Sequence, residues 1–335
     1  MHKPTMAETK NPSECLIGVD LGGTKILAGV FDPQLQCLGR NKMSTKAERG
    51  ADAVIERIAR CVEEAIDECD QSRKQVRGVG VGTPGSVDPE AGRVIFAANL
   101  NWEDVPLRKE LERRLDMPVF VENDCNSCML GVYETELKAK PQHVIGLFLG
   151  TGIGGGLILN GKLYAGFRGT AGEVGHMVLE VGGPKCTCGN RGCFEALASR
   201  TAIFRKIQSA VKAGQKTVLT DLLGDELKDM RSGDLLKAIR RGDKFVEKVV
   251  EEAAEYTGIA VANLMNLFNP QVVVLGGGII VALEDEMMAI IVETARDYAF
   301  PGAAKGVDII ATAVGDDAGI LGAAVLVRKA LLDAK

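Results

Sequence analysis

The sequence predicts an α/β protein made of two related halves. Strand-like segments alternate with helix-like segments through the first half of the 335-residue chain, which is typical of α/β domains. An apolar run, a glycine turn and a second apolar run open each half, at residues 15–32 (CLIGVDLGGTKILAGVFD) and 143–164 (HVIGLFLGTGIGGGLILNGKLY). The turns, LGGT at 21–24 and LGTG at 149–152, are similar in composition and position. We therefore expect two α/β domains.

The first half contains strands and helices in alternation. Residues 15–32 have the pattern of a β-hairpin. Residues 51–70 carry apolar side chains at helical spacing, namely Val54, Ile55, Ile58, Val62 and Ile66. The segments that follow predict strands at 76–85, 93–102 and 117–124, and helices at 106–115 and 124–138.

The second half opens with its own hairpin at 143–164 and continues mostly as helices through 200–268. A buried strand that meets a glycine turn is predicted at 270–278 (PQVVVLGGG), followed by helices at 283–298 and 317–332. We place a smaller domain at 15–122 together with the C-terminal helix at about 317–332, and a larger domain at 123–316. The polar residues 1–14 are expected to form a disordered tail.

Composition excludes several classes of function. The formal charge of −5 comes without a basic block, which argues against nucleic acid as a partner because its recognition begins with a cationic surface. Apolar stretches such as residues 272–283 are too short and too rich in glycine to cross a bilayer, so we expect no membrane role. A polar N-terminus without an apolar signal segment indicates a cytoplasmic protein, in which thiols stay reduced.

Residues 175–195 (GHMVLEVGGPKCTCGNRGCFE) have the composition of a metal site. His176 precedes Cys186, Cys188 and Cys193, and one imidazole with three thiolates completes a tetrahedral shell for zinc. A shell with no open position is structural rather than catalytic. A disulfide between two of the cysteines, or a core histidine, is the alternative interpretation of these residues.

Two further cysteines, Cys125 and Cys128, have CxxC spacing. They fall on a predicted helix and lack a second pair, so we interpret them as packing residues.

The glycine turns are candidates for phosphate binding, because glycine lets backbone N–H groups approach an anion closely. No GxxxxGK[ST] run is present, which excludes a P-loop. Gly150, Gly152 and Gly155 match GxGxxG, but a dinucleotide site needs a helix next and the chain continues as a strand. Tight hairpin turns without a ligand are the alternative.

A pair of such turns can hold the phosphates of a nucleotide from two sides. Asp20, at the end of the first strand, is placed to organise magnesium, which takes few protein carboxylates. Gly22 and Gly23 in the first turn and Gly150 and Gly152 in the second offer backbone donors. The remaining candidates for nucleotide contacts are Thr24, Lys25 and Thr151, with Gly276, Gly277 and Gly278 beside the adenosine.

Asp124 is the candidate catalytic residue. It ends a predicted strand in VENDCN, and α/β folds place their chemistry at the carboxyl ends of strands. An aspartate in a kinase accepts the proton of the attacking hydroxyl. N-capping of the following helix is the alternative function of Asp124.

These motifs together resemble the ROK family of sugar kinases, of the bacterial glucokinase type, within the actin-like ATPase superfamily. The match spans nearly the whole chain. The motifs occur in the family's order: DLGGTK at 20–25, END at 122–124, LGTGIGGG at 149–156, GEVGH at 172–176, CTCGNRGCFE at 186–195 and LGGG at 275–278.

The resemblance implies a two-domain actin-like ATPase (ribonuclease H-like) fold with a cleft between the domains and a structural zinc loop. It implies that Asp124 is the general base for the C6 hydroxyl of a hexose. The other sugar hydroxyls would be held by Asn99, Asn123, Glu173, His176 and Glu195. One ring nitrogen of His176 would bind zinc while the other donates to the sugar.

The implied activity is that of an ATP-dependent hexose kinase, and glucose is the first expected substrate. Fructokinase, mannokinase and N-acetylhexosamine kinase activities of the same family stay open. A sugar-responsive repressor or a sugar-binding protein without turnover is the alternative of another class. About fifteen polar residues precede the first strand, which is too few for a helix-turn-helix module. A homodimer or higher homo-oligomer is expected from the resemblance.

Overall fold

The computed structural model describes residues 14–69 and 72–333, so the predicted tail lies outside the described residues except for Glu14. The chain divides into two compact units, residues 1–131 with 318–335 and residues 132–317. The division falls later than the predicted boundary at 122, because a β-carbon on Gly131 would lie 2.3 Å from the carbonyl oxygen of Ala318 in the C-terminal helix. Among the described helices, none combines the length and apolar character of a membrane span.

The first unit is built on a five-stranded sheet and a smaller three-stranded sheet. Its strands are β1 (Cys15–Leu21), β2 (Lys25–Phe31), β3 (Cys37–Ser44), β4 (Val76–Thr83), β5 (Ser86–Asp88), β6 (Arg93–Ala97), β7 (Trp102–Val105) and β8 (Val119–Asn123). Its helices are α1 (Ala51–Asp67), α2 (Leu107–Leu115), the first two turns of α3 (Asp124–Thr135), and α11 (Ala318–Asp333) at the C-terminal end of the described chain.

The large sheet of the first unit has the order β3-β2-β1-β4-β8. The strands β1, β2 and β3 pair antiparallel, whereas β4 and β8 join them in parallel. The apolar faces of β1, β4 and β8 share one core with α1 and α2. Parallel β4 and β8 bring Thr83 opposite Asn123, so that the candidate base follows the carboxyl edge of this sheet.

The second unit repeats this arrangement. Its strands are β9 (Val144–Leu149), β10 (Ile153–Leu159), β11 (Lys162–Leu163), β12 (Val272–Gly276) and β13 (Asp308–Ala311). Its helices are α4 (Phe194–Ala198), α5 (Arg200–Lys212), α6 (Val218–Leu223), α7 (Ser232–Arg240), α8 (Lys244–Phe268), α9 (Gly278–Tyr298) and α10 (Pro301–Ala304).

The sheet of the second unit has the order β11-β10-β9-β12-β13. Its first three strands are antiparallel and its last two are parallel, as in the first unit. The α/β fold and the two related halves are therefore confirmed. Each predicted glycine turn joins the first two strands of its sheet, at β1–β2 and at β9–β10.

Two sequence-based element predictions differ from the structure. Residues 93–102 are not one strand, because the chain turns at Asn101, whose φ of 53° is left-handed, and β6 and β7 pair with each other. The helix predicted from residue 283 begins five residues earlier, and non-helical dihedrals at Leu283 mark a kink inside α9. The first turn of α9 is one glycine followed by three apolar residues, a pattern that could not be separated from the preceding apolar strand.

The C-terminal helix α11 packs directly on a pair of glycines. Gly18 and Gly80 are partners across β1 and β4, and a β-carbon on either would lie 1.8 Å from a carbonyl oxygen of α11, that of Ile320 or Ala323 respectively. No side chain can enter this contact without moving the helix, because the atoms that it would meet belong to backbone.

We expect Gly80→Ala to lower the free energy of unfolding by about 1–3 kcal/mol or more, since overpacked interiors relax poorly. Gly233→Ala is the matched control. Gly233 is an exposed residue of α7, and an added β-carbon has no neighbour within 4 Å, so the control should be neutral or slightly stabilising. Urea unfolding measures both variants. Equal stabilities of the two variants would contradict the close contact of α11 with the sheet.

Candidate active site

The first glycine turn (Gly22–Lys25) is closed by hydrogen bonds of its own. The N–H of Gly22 donates to the carbonyl of Lys25 at 2.8 Å, and Thr45 fixes the turn from outside. The hydroxyl of Thr45 donates to the carbonyl of Gly22 at 2.6 Å, and the backbone N–H of Thr45 donates to the carbonyl of Thr24 at 2.9 Å. The turn is therefore held in one shape by the chain that follows β3.

Two predicted site residues lie close to this turn. A β-carbon on Gly23 would lie 3.3 Å from the β-carbon of Asn99, so Asn99 packs against the turn. Asp20 ends the apolar part of β1 and faces the first turn of α11, where a β-carbon on Gly319 would lie 2.9 Å from its carboxyl carbon. The glycine leaves room for a carboxylate beside a helix N-terminus, which favours negative charge.

Asn123, rather than Asp124, caps α3. Its Oδ1 accepts from the N–H groups of Cys125 at 2.9 Å and Asn126 at 3.1 Å, which is the pattern of an N-cap residue. Its Nδ2 donates to the carbonyl of Gly85 at 3.1 Å. The amide of Asn123 therefore keeps one N–H for a ligand, and the capping role proposed as an alternative for Asp124 is filled by its neighbour.

Asp124 is a half-buried carboxyl in the first turn of α3. Burial raises its pKa above the usual aspartate range, while hydrogen bonds from Cys125 and Asn123 act in the opposite direction. The N–H of Cys125 lies 2.8 Å from one of its oxygens, Oδ1. A raised pKa brings a carboxylate closer to the basicity that proton transfer requires.

Glu122 supports the same segment from the buried side. It is 6% exposed, and its Oε1 accepts from the N–H of Asn123 at 2.9 Å and from the amide of Asn126 at 3.0 Å. Burial raises its pKa as well. The carboxyl of Glu122 thus fixes the backbone that presents Asn123 and Asp124.

The second glycine turn (Gly150–Gly152) is closed by the N–H of Gly150, which donates to the carbonyl of Gly152 at 2.9 Å. Glu195 braces it, because its Oε2 accepts from the N–H of Ile153 at 3.0 Å. A β-carbon on Gly152 would lie 2.4 Å from the same Oε2. The other oxygen, Oε1, accepts from the hydroxyl of Thr187 at 3.2 Å. Glu195 therefore joins the second glycine turn to the cysteine loop.

The LGGG segment lies beside the second glycine turn. Gly276 ends β12, and Gly277, with a φ of 87°, precedes α9, which begins at Gly278. A β-carbon on Gly277 would lie 2.4 Å from the carbonyl oxygen of Leu149. Only glycine can approach the backbone of Leu149 this closely. The segment predicted to contact adenosine therefore packs against Leu149, which directly precedes the second glycine turn.

The four predicted metal ligands form one cluster in the second unit. The ligand atoms of His176, Cys186, Cys188 and Cys193 all lie within 4.8 Å of one another. The sulfurs of Cys188 and Cys193 are 3.7 Å apart, and the sulfur of Cys186 is 3.8 Å from Nδ1 of His176. Sulfurs bound to one tetrahedral zinc at ~2.3 Å are separated by about 3.8 Å, so the residues fit this ion.

The chemistry of the donor set agrees with this geometry. The N–H of Asn190 donates to the sulfur of Cys188 and lowers its pKa, which favours the thiolate that binds metals. Burial, together with the neighbouring thiols, raises the pKa of Cys193 to about 12. A cation among the sulfurs would relieve that crowding of negative charge. Cys186, Cys188 and Cys193 are thiols that form no disulfide, so the disulfide alternative does not apply to them.

His176 has its second ring nitrogen directed at Glu173. Its Nε2 lies 4.0 Å from Oε2 of Glu173, while Nδ1 faces the cysteine sulfurs. A metal on Nδ1 fixes the proton on Nε2. His176 and Glu173 then present a donor and an acceptor side by side.

Sequence reasoning missed two residues that brace the second glycine turn. Thr201 donates its hydroxyl to the carbonyl of Thr151 at 2.7 Å. Arg200 donates its N–H to the carbonyl of Gly150 at 3.0 Å and its guanidinium to the hydroxyl of Thr151. Neither residue belongs to a motif, and only the position of α5 after the cysteine loop brings them to this turn.

Known proteins resemble this chain over most of its length. The sequence profile of the ROK family matches residues 16–330. The glucokinase of Thermotoga maritima is 38% identical over 319 residues, which cover 95% of this chain and 98% of that protein. The xylose repressor of Caldicellulosiruptor bescii is 30% identical over 274 residues, which cover 82% of this chain and 68% of the repressor.

The fold also matches a solved structure. A crystal structure of a ROK family glucokinase from Streptomyces griseus, in complex with glucose and AMPPNP, has a TM-score of 0.84 to this chain at 33% sequence identity. The alignment covers 94% of this chain and 99% of that one. The similarity therefore extends to both units of the fold.

Proposed function

Because the chain belongs to the ROK family, we propose that it is an ATP-dependent hexose kinase that phosphorylates the C6 hydroxyl of a hexose, with glucose as the first candidate. The observation that carries this proposal is Asp124, a half-buried carboxyl that follows the carboxyl end of β8 and whose capping role is taken by Asn123. Similarity to glucokinases over nearly the whole chain supports the same reaction.

In the proposed reaction, Asp124 accepts the proton of the C6 hydroxyl as that oxygen attacks the γ-phosphorus of ATP. The new bond joins the C6 oxygen to phosphorus, and the bond between the γ-phosphorus and the β,γ-bridging oxygen breaks. ADP leaves with the electron pair of the broken bond. The raised pKa of Asp124 supports this role, because a more basic carboxylate accepts a proton more readily.

The remaining sugar hydroxyls are assigned to residues with hydrogen-bonding capacity for them. Glu173 and His176 supply the acceptor and donor pair described above. Asn123 has one amide hydrogen left, and Asn99 lies against the first glycine turn. We include Glu195 as a sugar contact as well, although both of its oxygens already accept hydrogen bonds within the protein.

The glycine turns are assigned to the phosphates of ATP. Gly23, Thr24 and Lys25 offer donors in the first turn, and Thr151 and Gly152 offer them in the second. We assign Gly22 and Gly150 to the same turns, although their own N–H groups already donate to the carbonyls of Lys25 and Gly152. Gly276, Gly277 and Gly278 are assigned to the adenosine. Asp20 would hold magnesium, which neutralises charge on the phosphates when it is bound.

The cysteine cluster is assigned to structural zinc. His176, Cys186, Cys188 and Cys193 would hold the ion, which contributes folding energy to a loop with little secondary structure of its own. With Nδ1 held in that site, His176 would direct Nε2 toward the sugar. Substrate affinity is therefore expected to depend on a metal that takes no part in phosphoryl transfer.

The pH dependence of kcat/KM provides a test of Asp124 in the intact protein. The base must be ionised, so activity is present above its pKa and is lost as the pH falls through that value. Because burial raises this pKa, we expect the acid limb of the profile to lie above the ordinary aspartate value of about 3.9. Circular dichroism over the same range controls for unfolding. An acid limb at or below about 3.9 on folded protein would contradict the raised pKa.

The function itself is tested by ADP release with ATP and magnesium across five sugars: glucose, mannose, fructose, N-acetylglucosamine and N-acetylmannosamine. Sugar-dependent release supports the kinase, and the ratio of kcat/KM values ranks the substrates. Rival family activities, fructokinase, mannokinase and N-acetylhexosamine kinase, are distinguished in the same experiment.

A sugar-binding regulator is the second candidate, favoured by the similarity to the xylose repressor. It would bind a sugar without turning over ATP. Binding of glucose or xylose by calorimetry, combined with no ADP release, would favour the regulator over the kinase. Assembly as a homodimer stays a prediction and is tested by sedimentation.

A further inference from the structure

Arg200 contacts the second glycine turn through both its backbone and its side chain. Its N–H donates to the carbonyl of Gly150 at 3.0 Å, and its guanidinium donates to the hydroxyl of Thr151. The residue begins α5, whose N-cap is Ser199. A cation therefore lies at the turn that we assign to the phosphates of ATP.

The guanidinium of Arg200 forms no salt bridge with a carboxylate in the described part of the chain. Some arginines, such as Arg60 and Arg93, pair with carboxylates, whereas others, such as Arg205, donate to backbone carbonyls. The guanidinium of Arg200 donates to the hydroxyl of Thr151, and only its backbone N–H donates to the carbonyl of Gly150. A guanidinium without a carboxylate partner keeps its charge and most of its five donors for a ligand.

The contact with Thr151 also directs the threonine hydroxyl. Because the guanidinium donates to Oγ1 of Thr151, the hydroxyl hydrogen is left to donate elsewhere. Thr151 is exposed, so that hydrogen can point to a ligand in solvent. Arg200 and Thr151 together offer an anion both a planar cation and an oriented O–H donor, the combination that recognises phosphate oxygens.

We propose that Arg200 binds the terminal phosphate of ATP together with Thr151, which makes it a phosphate-binding residue of the second glycine turn. This inference rests on the proposed function, which supplies the nucleotide. Both residues belong to the second unit, so the pair is preformed within one part of the fold. The alternative is that Arg200 only braces the turn.

The two roles predict different effects on the binding of ATP and of AMP. A phosphate-binding residue discriminates ATP from AMP, whereas a brace affects every nucleotide that contacts the turn. Arg200→Ala separates them, because the variant keeps the backbone hydrogen bond to Gly150 and loses only the guanidinium. Arg200→Lys keeps the charge but not the planar fork.

The experiment measures binding of ATP and AMP by calorimetry without sugar, and turnover separately, on the full chain. Lys212→Ala is the matched control, because it removes one exposed positive charge from the same helix, about 18 Å further along. We expect Arg200→Ala to weaken ATP binding about 10- to 100-fold, as loss of a charge-assisted hydrogen bond does. The affinity for AMP should change less than about twofold. The ATP affinity of Arg200→Lys should lie between those of the wild type and Arg200→Ala. The affinity of Lys212→Ala should match the wild type.

Equal losses of affinity for ATP and AMP in Arg200→Ala, or no loss of affinity for either, would overturn the assignment of Arg200 to the terminal phosphate. This result is separable from a failure of the proposed function. Sugar-dependent turnover with unchanged ATP affinity in Arg200→Ala rejects the role of Arg200 and retains the kinase. Selective loss of ATP binding without turnover of any sugar retains the phosphate site and rejects the hexose kinase.

Discussion

Asp124→Asn is expected to lower kcat by at least about 100-fold with the fold intact, since removal of a general base typically costs 100- to 10,000-fold. Asparagine has nearly the same shape but cannot accept the proton of the C6 hydroxyl. The fold should persist because α3 is capped by Asn123, whose hydrogen bonds to Cys125 and Asn126 do not involve residue 124. The loss of the charge on this half-buried carboxyl removes part of its desolvation cost as well.

Asp116→Asn is the matched control for this substitution. Asp116 is an exposed residue with a φ of 50° at the end of α2, a conformation that asparagine adopts readily. Steady-state turnover with saturating ATP and sugar compares both variants with the wild type, and thermal unfolding verifies the fold. Near-normal kcat in Asp124→Asn would reject Asp124 as the base.

Cys188→Ala is expected to lose bound zinc and to weaken sugar binding more than nucleotide binding. A structural zinc site with three ligands left holds its ion poorly, and without the ion Nε2 of His176 is no longer oriented beside Glu173. Loss of these two hydrogen bonds to the sugar corresponds to about 1–3 kcal/mol. KM for the hexose should therefore rise about 5- to 150-fold, while KM for ATP changes less.

Cys37→Ala serves as the control for removal of a thiol. Cys37 is an exposed residue of β3 in the first unit, outside the metal cluster. Metal content is measured by atomic emission on protein purified without chelator, alongside the two KM values. Unchanged zinc content in Cys188→Ala would reject the ligand set, and equal effects on both substrates would reject the connection from metal to sugar.

Elements with a strong apolar pattern were predictable from the sequence. The two hairpins have apolar runs on either side of a glycine turn, and α1 has apolar positions at spacings of three and four residues. β3 was not predicted, because it is an edge strand whose side chains alternate only between exposed and half-buried. β13 was missed as a four-residue edge strand with no fully buried side chain.

The candidate site was predictable where spacing carries chemistry. One histidine and three cysteines form the expected cluster because their donors must surround one ion. The cap at Asn123 could not be separated from Asp124, since both residues favour that position. Arg200 could not be found at all, because only the packing of α5 brings its guanidinium to Thr151.

Identification of the product formed from glucose, ATP and magnesium by phosphorus NMR tests the hexose kinase most directly. We expect glucose 6-phosphate and ADP in equal amounts from the wild type, and neither above background from Asp124→Asn. Absence of any phosphorylated sugar with all five candidate hexoses, on folded protein shown to contain zinc, would contradict the hexose kinase.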